Sequence, residues 1–160
     1  MIEDNQKTGV LFVCMGNICR SPTAEGVFRH HAEQSGMAGR LHIESAGTHA
    51  YHVGEPADRR ARAAAERRGI SLDGIAARRV DTRDFERFDL ILAMDEDNLA
   101  RLHDESPDEH RHKLHLFLEF AGSDQREVPD PYYGGAAGFE RVLDLVEDAS
   151  RKLLQSLDRA

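Results

Sequence analysis

The chain has 160 residues, 40% hydrophobic and 31% charged, which is the size and balance of one globular domain with enough apolar material for a core. Lys and Arg total 21 against 29 Asp and Glu, a formal net charge of −8, which argues against broad binding to nucleic acid or to an anionic membrane surface. The longest apolar runs, residues 10–15 and 90–94, fall far short of the ~18 residues a bilayer span needs, and the acidic start Met1-Ile2-Glu3-Asp4-Asn5 is unlike a signal peptide. A cytoplasmic location is therefore expected, with secretion by a non-classical route left open.

In chain order, residues 1–8 are polar and are expected as a short N-terminal tail, leaving residues 9–160 as one domain. Gly9-Val10-Leu11-Phe12-Val13 is an unbroken, β-branched-rich run that predicts a strand buried on both faces. A loop follows through Arg20. Ser21-Pro22 then carries an N-cap hydroxyl and the fixed φ favoured at a first helical position, which predicts a helix from Thr23 to about Ser35, stopped at Gly36. Leu41 to Ala46 alternates as a second strand, and residues 47–55 are irregular. Pro56 leads into an Ala/Arg-rich helix that ends at Gly69. Phe88 to Met94 predicts a third strand followed by a helix from near Asp95, and Lys113 to Phe117 a fourth strand. The last helix, about Gly138 to Leu157, places Phe139, Val142, Leu143, Val146, Ala149, Leu153 and Leu154 on one side.

Strands that alternate with helices pack best as a parallel sheet with right-handed crossovers and helices on both faces. Ligands of such sheets bind at the carboxyl ends of the strands, and the first strand delivers Cys14 to that edge. The two cysteines, Cys14 and Cys19, share one loop, whereas a secreted scaffold spreads several through the chain. Close thiols of this kind point to chemistry or to incidental packing.

The loop Cys14-Met15-Gly16-Asn17-Ile18-Cys19-Arg20-Ser21 lies between a buried strand and a helix start. Unpaired N–H groups and the helix dipole attract an anion there, and a compact loop can aim several N–H groups inward as a phosphate-sized nest. Gly16 and Asn17 tolerate the left-handed backbone of such a wrap. Arg20 adds a permanently charged fork that holds two oxygens of a tetrahedral oxyanion. The same field favours a Cys14 thiolate, a nucleophile beneath a bound phosphoryl group. The plain alternative is a buried strand-end thiol and an unrelated surface cation, but Cys-x5-Arg-Ser between a strand and a helix seldom arises by accident.

Cleaving a phosphate ester also requires a proton donor for the leaving oxygen. Asp130, in Val128-Pro129-Asp130-Pro131-Tyr132-Tyr133-Gly134-Gly135, is stiffened by a proline on either side, and Pro131 biases it to an extended backbone. Tyr132 and Tyr133 could wall an aromatic substrate. An ordinary surface turn would use the same residue pairs, so this segment gains its meaning from the first loop.

With these residues in view, the chain resembles the low-molecular-weight protein tyrosine phosphatases. The resemblance rests on Val13-Cys14-Met15-Gly16-Asn17-Ile18-Cys19-Arg20-Ser21-Pro22, Glu44-Ser45-Ala46-Gly47-Thr48, Phe88-Asp89-Leu90-Ile91-Leu92-Ala93-Met94-Asp95 and Asp130-Pro131-Tyr132-Tyr133. It implies an α/β single-domain three-layer sandwich with a four-stranded parallel sheet and helices on both faces, flavodoxin-like. It also implies hydrolysis of phosphotyrosine with no cofactor and no metal. Cys14 would attack phosphorus to form a phosphocysteine, and Arg20 and the loop N–H groups would hold the equatorial oxygens. Asp130 would protonate the phenolate and then activate water. By the same resemblance, Ser21 stabilises the thiolate, Asn17 braces the loop, and Tyr51 lies beside the cleft with Tyr132 and Tyr133. Implied partners are phosphotyrosine-containing proteins, a bacterial tyrosine kinase among them, with the chain a monomer or weak dimer.

Family members often brace the loop Asn with a His, and the matching region here, Ser71-Leu72-Asp73-Gly74-Ile75-Ala76, has none. The dense histidines His110, His112 and His115 lie in a charged segment without paired carboxylate or thiolate ligands at tight spacing, so no metal site is expected. The arginines of residues 59–79 read as a solvated face, or as a dock for acidic phosphopeptides. Cys14 and Cys19 could close a protective disulfide after oxidation. Rival readings on the same scaffold are an arsenate reductase, for which further cysteines are missing, and a phosphoarginine phosphatase, which Ile18 disfavours. A non-catalytic phosphotyrosine-binding module would have to lack Cys14, Arg20 or Asp130, and all three are present.

Overall fold

The structure is a computed structural model and describes residues 7–131 and 135–158. Its sheet is built from β1 (Thr8–Cys14), β2 (Leu41–Gly47), β3 (Leu90–Ala93) and β4 (Leu114–Leu116), in the order β2-β1-β3-β4. Every pairing is parallel. β1 is thus central, which explains its apolar run: it has no face turned to water. Val10, Phe12 and Cys14 join the core beneath α1 (Arg20–Gln34), α2 (Arg59–Glu66), α5 (Phe117–Ala121) and α6 (Gly135–Asp158). Leu11 and Val13 join the opposite core with Phe85 of α3 (Asp84–Arg87) and Leu102 of α4 (Glu96–Glu105). The result is the three-layer sandwich. Among the described residues no helix is long and apolar enough to cross a membrane.

Several boundaries differ from the sequence expectation, each for a local reason. The third strand is shorter than residues 88–94: Phe88, buried with its ring stacked on His42 at 5.5 Å between centroids, lies before the ladder begins. α2 starts after Pro56, at the point where the Asp58 carboxylate accepts from the Arg60 N–H as its cap. α3 and α5 are too short to show helical periodicity in the sequence. The larger correction concerns α1. It begins at Arg20, with Cys19 as its cap residue, and no side chain caps it, Ser21 included. The Ser21 hydroxyl is directed elsewhere. Gly36 does end the helix in a left-handed turn at φ 73°, with the Met37 N–H closing onto the Ala32 carbonyl at 2.8 Å.

Candidate active site

The carboxyl end of β1 runs directly into the phosphate-loop candidate, and the paired end of β2 supports it from below. Gly47 is opposite Cys14 in the ladder. A Cβ on Gly47 would lie 2.7 Å from the Met15 carbonyl oxygen, so only glycine lets the loop sit this close to β2. The next two N–H groups, of Thr48 and His49, donate to the Cys14 and Met15 carbonyls at 2.9 and 3.0 Å. The far side of the loop is tied by the Asp58 N–H to the Ile18 carbonyl at 2.7 Å.

Asn17 takes the left-handed backbone at φ 59°, alone among the described non-glycine residues. Gly16 was expected to share that conformation and does not. A Cβ there would lie 3.0 Å from the His52 ring, which would have to shift by a few tenths of an ångström to admit it. Asn17 is buried and its amide donates to the Ser21 hydroxyl at 2.8 Å and to the Ser45 hydroxyl at 3.0 Å, while its carbonyl oxygen accepts from the Arg78 N–H at 2.9 Å. Ser45 passes its own proton to Glu25 at 2.6 Å. Among the described residues, Ser21, Ser45 and the Arg78 N–H thus brace the Asn17 side chain with no His among them.

The Ser21 hydroxyl has one proton to give. Asn17 already donates to its oxygen, so that proton goes either to Cys14 Sγ at 3.0 Å or to the Ala46 carbonyl at 3.4 Å. The sulfur is the nearer partner, although a sulfur hydrogen bond is normally the longer kind. Ser21, fully buried, therefore faces Cys14 and Asn17 and not the helix end.

Arg20 is 4% exposed. Its Nη1 donates to Asp95 Oδ2 at 2.7 Å and to the Val128 carbonyl at 3.0 Å, which fixes the guanidinium plane. Burial works against the cation, but the charges of Cys14, Asp95 and Asp130 and the Asp95 hydrogen bond outweigh it and hold Arg20 above its ordinary range. Asp95 uses its other oxygen, Oδ1, to cap α4 through the Asn98 N–H at 2.8 Å. One carboxylate thus orients both a helix and the arginine. Val128 links β3 to the acid segment, its N–H donating to the Met94 carbonyl at 2.8 Å. Two residues on, Asp130 Oδ2 lies 4.0 Å from Arg20 Nη2.

A cleft of about 210 Å³ opens above the loop. Cys14, Met15, Gly16, Ile18, Cys19 and Arg20 line it from the loop side, and Tyr51, His52 and Asp130 complete it. Asn17 and Ser21 lie behind that lining as supports. Tyr51 is 68% exposed and stacks on His49, centroids 5.0 Å apart and planes 12° apart. Tyr132 and Tyr133, the other proposed wall residues, lie outside the described residues. Cys19 is a buried free thiol whose pKa is pushed up to about 12, by burial first and then by the charges of Asp58, Cys14 and Asp130.

Sequence reasoning missed five contributors: His52 on the cleft wall, Asp95 and Val128 behind Arg20, and Ser45 and the Arg78 N–H behind Asn17. Only Asp95 left a local trace, the Asp-x-x-Asn capping box directly after a strand.

Residues 9–160 match the family described as low molecular weight phosphotyrosine protein phosphatase. A putative low molecular weight protein-tyrosine-phosphatase of Synechocystis is 46% identical over 152 residues, covering 94% of this chain and 96% of that one. YfkJ of Bacillus subtilis, a low molecular weight protein-tyrosine-phosphatase, is 40% identical over 94% of this chain and 96% of its own. Among solved structures, a protein tyrosine phosphatase of Entamoeba histolytica with Hepes in its active site superimposes with a TM-score of 0.91 at 42% identity, over 96% of this chain and 98% of that one. With strand, loop and acid segment disposed as described, and with likeness over nearly its whole length, this chain belongs to the low molecular weight phosphotyrosine protein phosphatase family.

Proposed function

We propose that the chain hydrolyses phosphotyrosine in proteins, and aryl phosphate monoesters generally, through a phosphocysteine on Cys14. The convergence of Cys14, Arg20 and Asp130 on one cleft carries this reading. The phosphoryl group sits over the loop with its equatorial oxygens on the loop N–H groups and on the Nε–Nη2 edge of Arg20, since Nη1 is already occupied. The Cys14 thiolate, with Ser21 donating to it, attacks in line. An S–P bond forms, the P–O bond to the ring breaks, and Asp130 gives its proton to the departing phenolate. Water then attacks phosphorus, Asp130 takes back a proton, and the S–P bond breaks to release phosphate and the thiolate. Charge on the transferring oxygens is met by fixed N–H dipoles and a fixed cation, which need no reorganisation as it builds.

Tyr51 and His52 form one side of the slot, and Tyr132 and Tyr133 are proposed to form another, deep enough to favour a phenyl ring over the shorter phosphoserine. Cys19 is proposed to trap oxidised Cys14. Peroxide converts the Cys14 thiolate to a sulfenic acid, and Cys19 sulfur displaces water from it to give a disulfide that a thiol reductant reopens. A tyrosine kinase among the substrates, a monomer or weak dimer as the working unit and a cytoplasmic setting complete the proposal.

The decisive experiment compares wild type with Cys14→Ser on p-nitrophenyl phosphate and on matched phosphotyrosyl and phosphoseryl peptides. Turnover confined to the aryl esters, and reduced about 10⁴-fold or more in the variant, is expected. Retention of activity in Cys14→Ser, or equal use of phosphoserine, overturns the reading.

A further inference from the structure

Behind the phosphate loop lies a cluster of charge that the chemistry above does not touch. Asp84 of α3 is 1% exposed. Its Oδ2 accepts from Arg78 Nη1 at 2.9 Å and from the Asp81 N–H at 2.7 Å, and its Oδ1 accepts from Arg78 Nη2 at 3.2 Å. Glu44 of β2 takes Arg78 Nη2 on its Oε1 at 3.0 Å, and its Oε2 faces His42 at 2.6 Å and Arg87 at 3.3 Å. Burial disfavours the Arg78 cation, yet Asp84 and Glu44 outweigh it and hold the guanidinium above its ordinary range. The side chain is thus clamped to a helix and to a strand at once.

The main chain of the same residue does a different job. The Arg78 N–H donates to Asn17 Oδ1 at 2.9 Å, and its carbonyl accepts from the Gly47 N–H at 2.8 Å. An Asn amide has an accepting end and a donating end. An N–H facing one end allows only the oxygen there, so the NH₂ must face Ser21. If the amide were reversed, Ser21 would turn its proton toward Asn17 and away from the sulfur. The Arg78 N–H at one end of the amide, with the Ser45 hydroxyl committed to Glu25 at the other, fixes which way Asn17 faces and leaves the Ser21 proton free to turn to Cys14 Sγ.

We propose that Arg78, clamped by Asp84 and Glu44, is a positioning residue for the nucleophile: its N–H orients the Asn17 amide and thereby aims the Ser21 proton at Cys14 Sγ. This rests on the phosphatase reading for turnover, but the state of the sulfur can be read without turnover.

The test is a double-mutant cycle of Arg78→Ala with Asn17→Ala, scored by the rate of Cys14 alkylation by iodoacetate across pH and by kcat/KM for p-nitrophenyl phosphate. In the wild-type background Arg78→Ala is expected to slow both about tenfold and to move the alkylation profile to higher pH. In the Asn17→Ala background the same change is expected to have less than about a twofold effect, because the relay is already cut. An equal loss in both backgrounds, or no loss in folded Arg78→Ala, overturns the proposal. Should Arg78→Ala fail to fold, Arg78→Lys carries the same cycle, with one point contact replacing the fork and a loss of about threefold expected. If alkylation follows the cycle while wild type does not turn over aryl phosphate, the functional reading falls and this one stands.

Discussion

The two sides of the cleft are built on opposite plans. The loop side is buried and tied into distant elements: Asn17 is 1% exposed, and its partners come from α1, β2 and the segment before α3. On the wall side, Tyr51 and Val53 are 68% and 58% exposed. Its side-chain hydrogen bonds and ring stacks are local ones, Thr48 with His49, His49 with Tyr51, and His52 with Glu55, while the His52 ring also lies against Gly16. Buried long-range bonds hold the loop, whereas the wall combines local side-chain contacts with a backbone tie from Gly54 and Glu55 to Ala77 and leaves its side chains more exposed. On the proposed function the difference separates chemistry from selection: the reacting groups are held by buried bonds, and the exposed wall side chains are freer to vary.

Asp130, the proposed acid, is where that division is most open to attack, since it lines the cleft from a segment pinned just beyond β3 and beside Arg20. Asp130→Ala is expected to lower kcat about 10²- to 10⁴-fold for an ester of unsubstituted phenol, and much less for p-nitrophenol, whose anion leaves without a proton. A series of aryl phosphates measures this, and a uniform loss across the series would remove Asp130 as the acid. The next effect is on the wall. Tyr51→Ala should raise KM for phosphotyrosyl peptides about three- to tenfold, the worth of one aromatic stack, with kcat unchanged. A fall in kcat instead would mean that wall and loop are coupled.

The smallest effect concerns Cys19, on the loop side but outside the relay. In the unfolded chain its thiol ionises near 9, whereas in the fold it keeps its proton to about 12. Between those values the unfolded state binds fewer protons, so stability declines as pH rises through the window. Urea midpoints measured over that range should fall less steeply in Cys19→Ala than in wild type. Cys19→Ser should also recover less activity after peroxide and thiol treatment; equal recovery would remove its protective role.

The sequence carried the elements that periodicity and side-chain chemistry encode locally. The apolar run at Val10, the stripe of α6 and the Cys14-to-Arg20 spacing each imply their surroundings. What escaped was decided by partners far along the chain. Ser21 has the ideal hydroxyl for a helix cap, but Cys14 and Asn17 compete for it and win, so α1 starts at Arg20. Arg20 meets Asp95 across 75 positions, and Asn17 meets Ser45 across 28. His52 looks like any loop histidine until the fold sets its ring against Gly16. No local pattern records such meetings.

The place of β1 in the middle of the ladder has a consequence for heat and denaturant. Both edges of the strand that ends in Cys14 are hydrogen-bonded to neighbours, so fraying that begins at β4 or at the end of α6 stops short of it. Its amides should exchange with deuterium only when the whole molecule opens. Catalysis is then expected to survive partial melting of the periphery and to vanish in step with the cooperative transition.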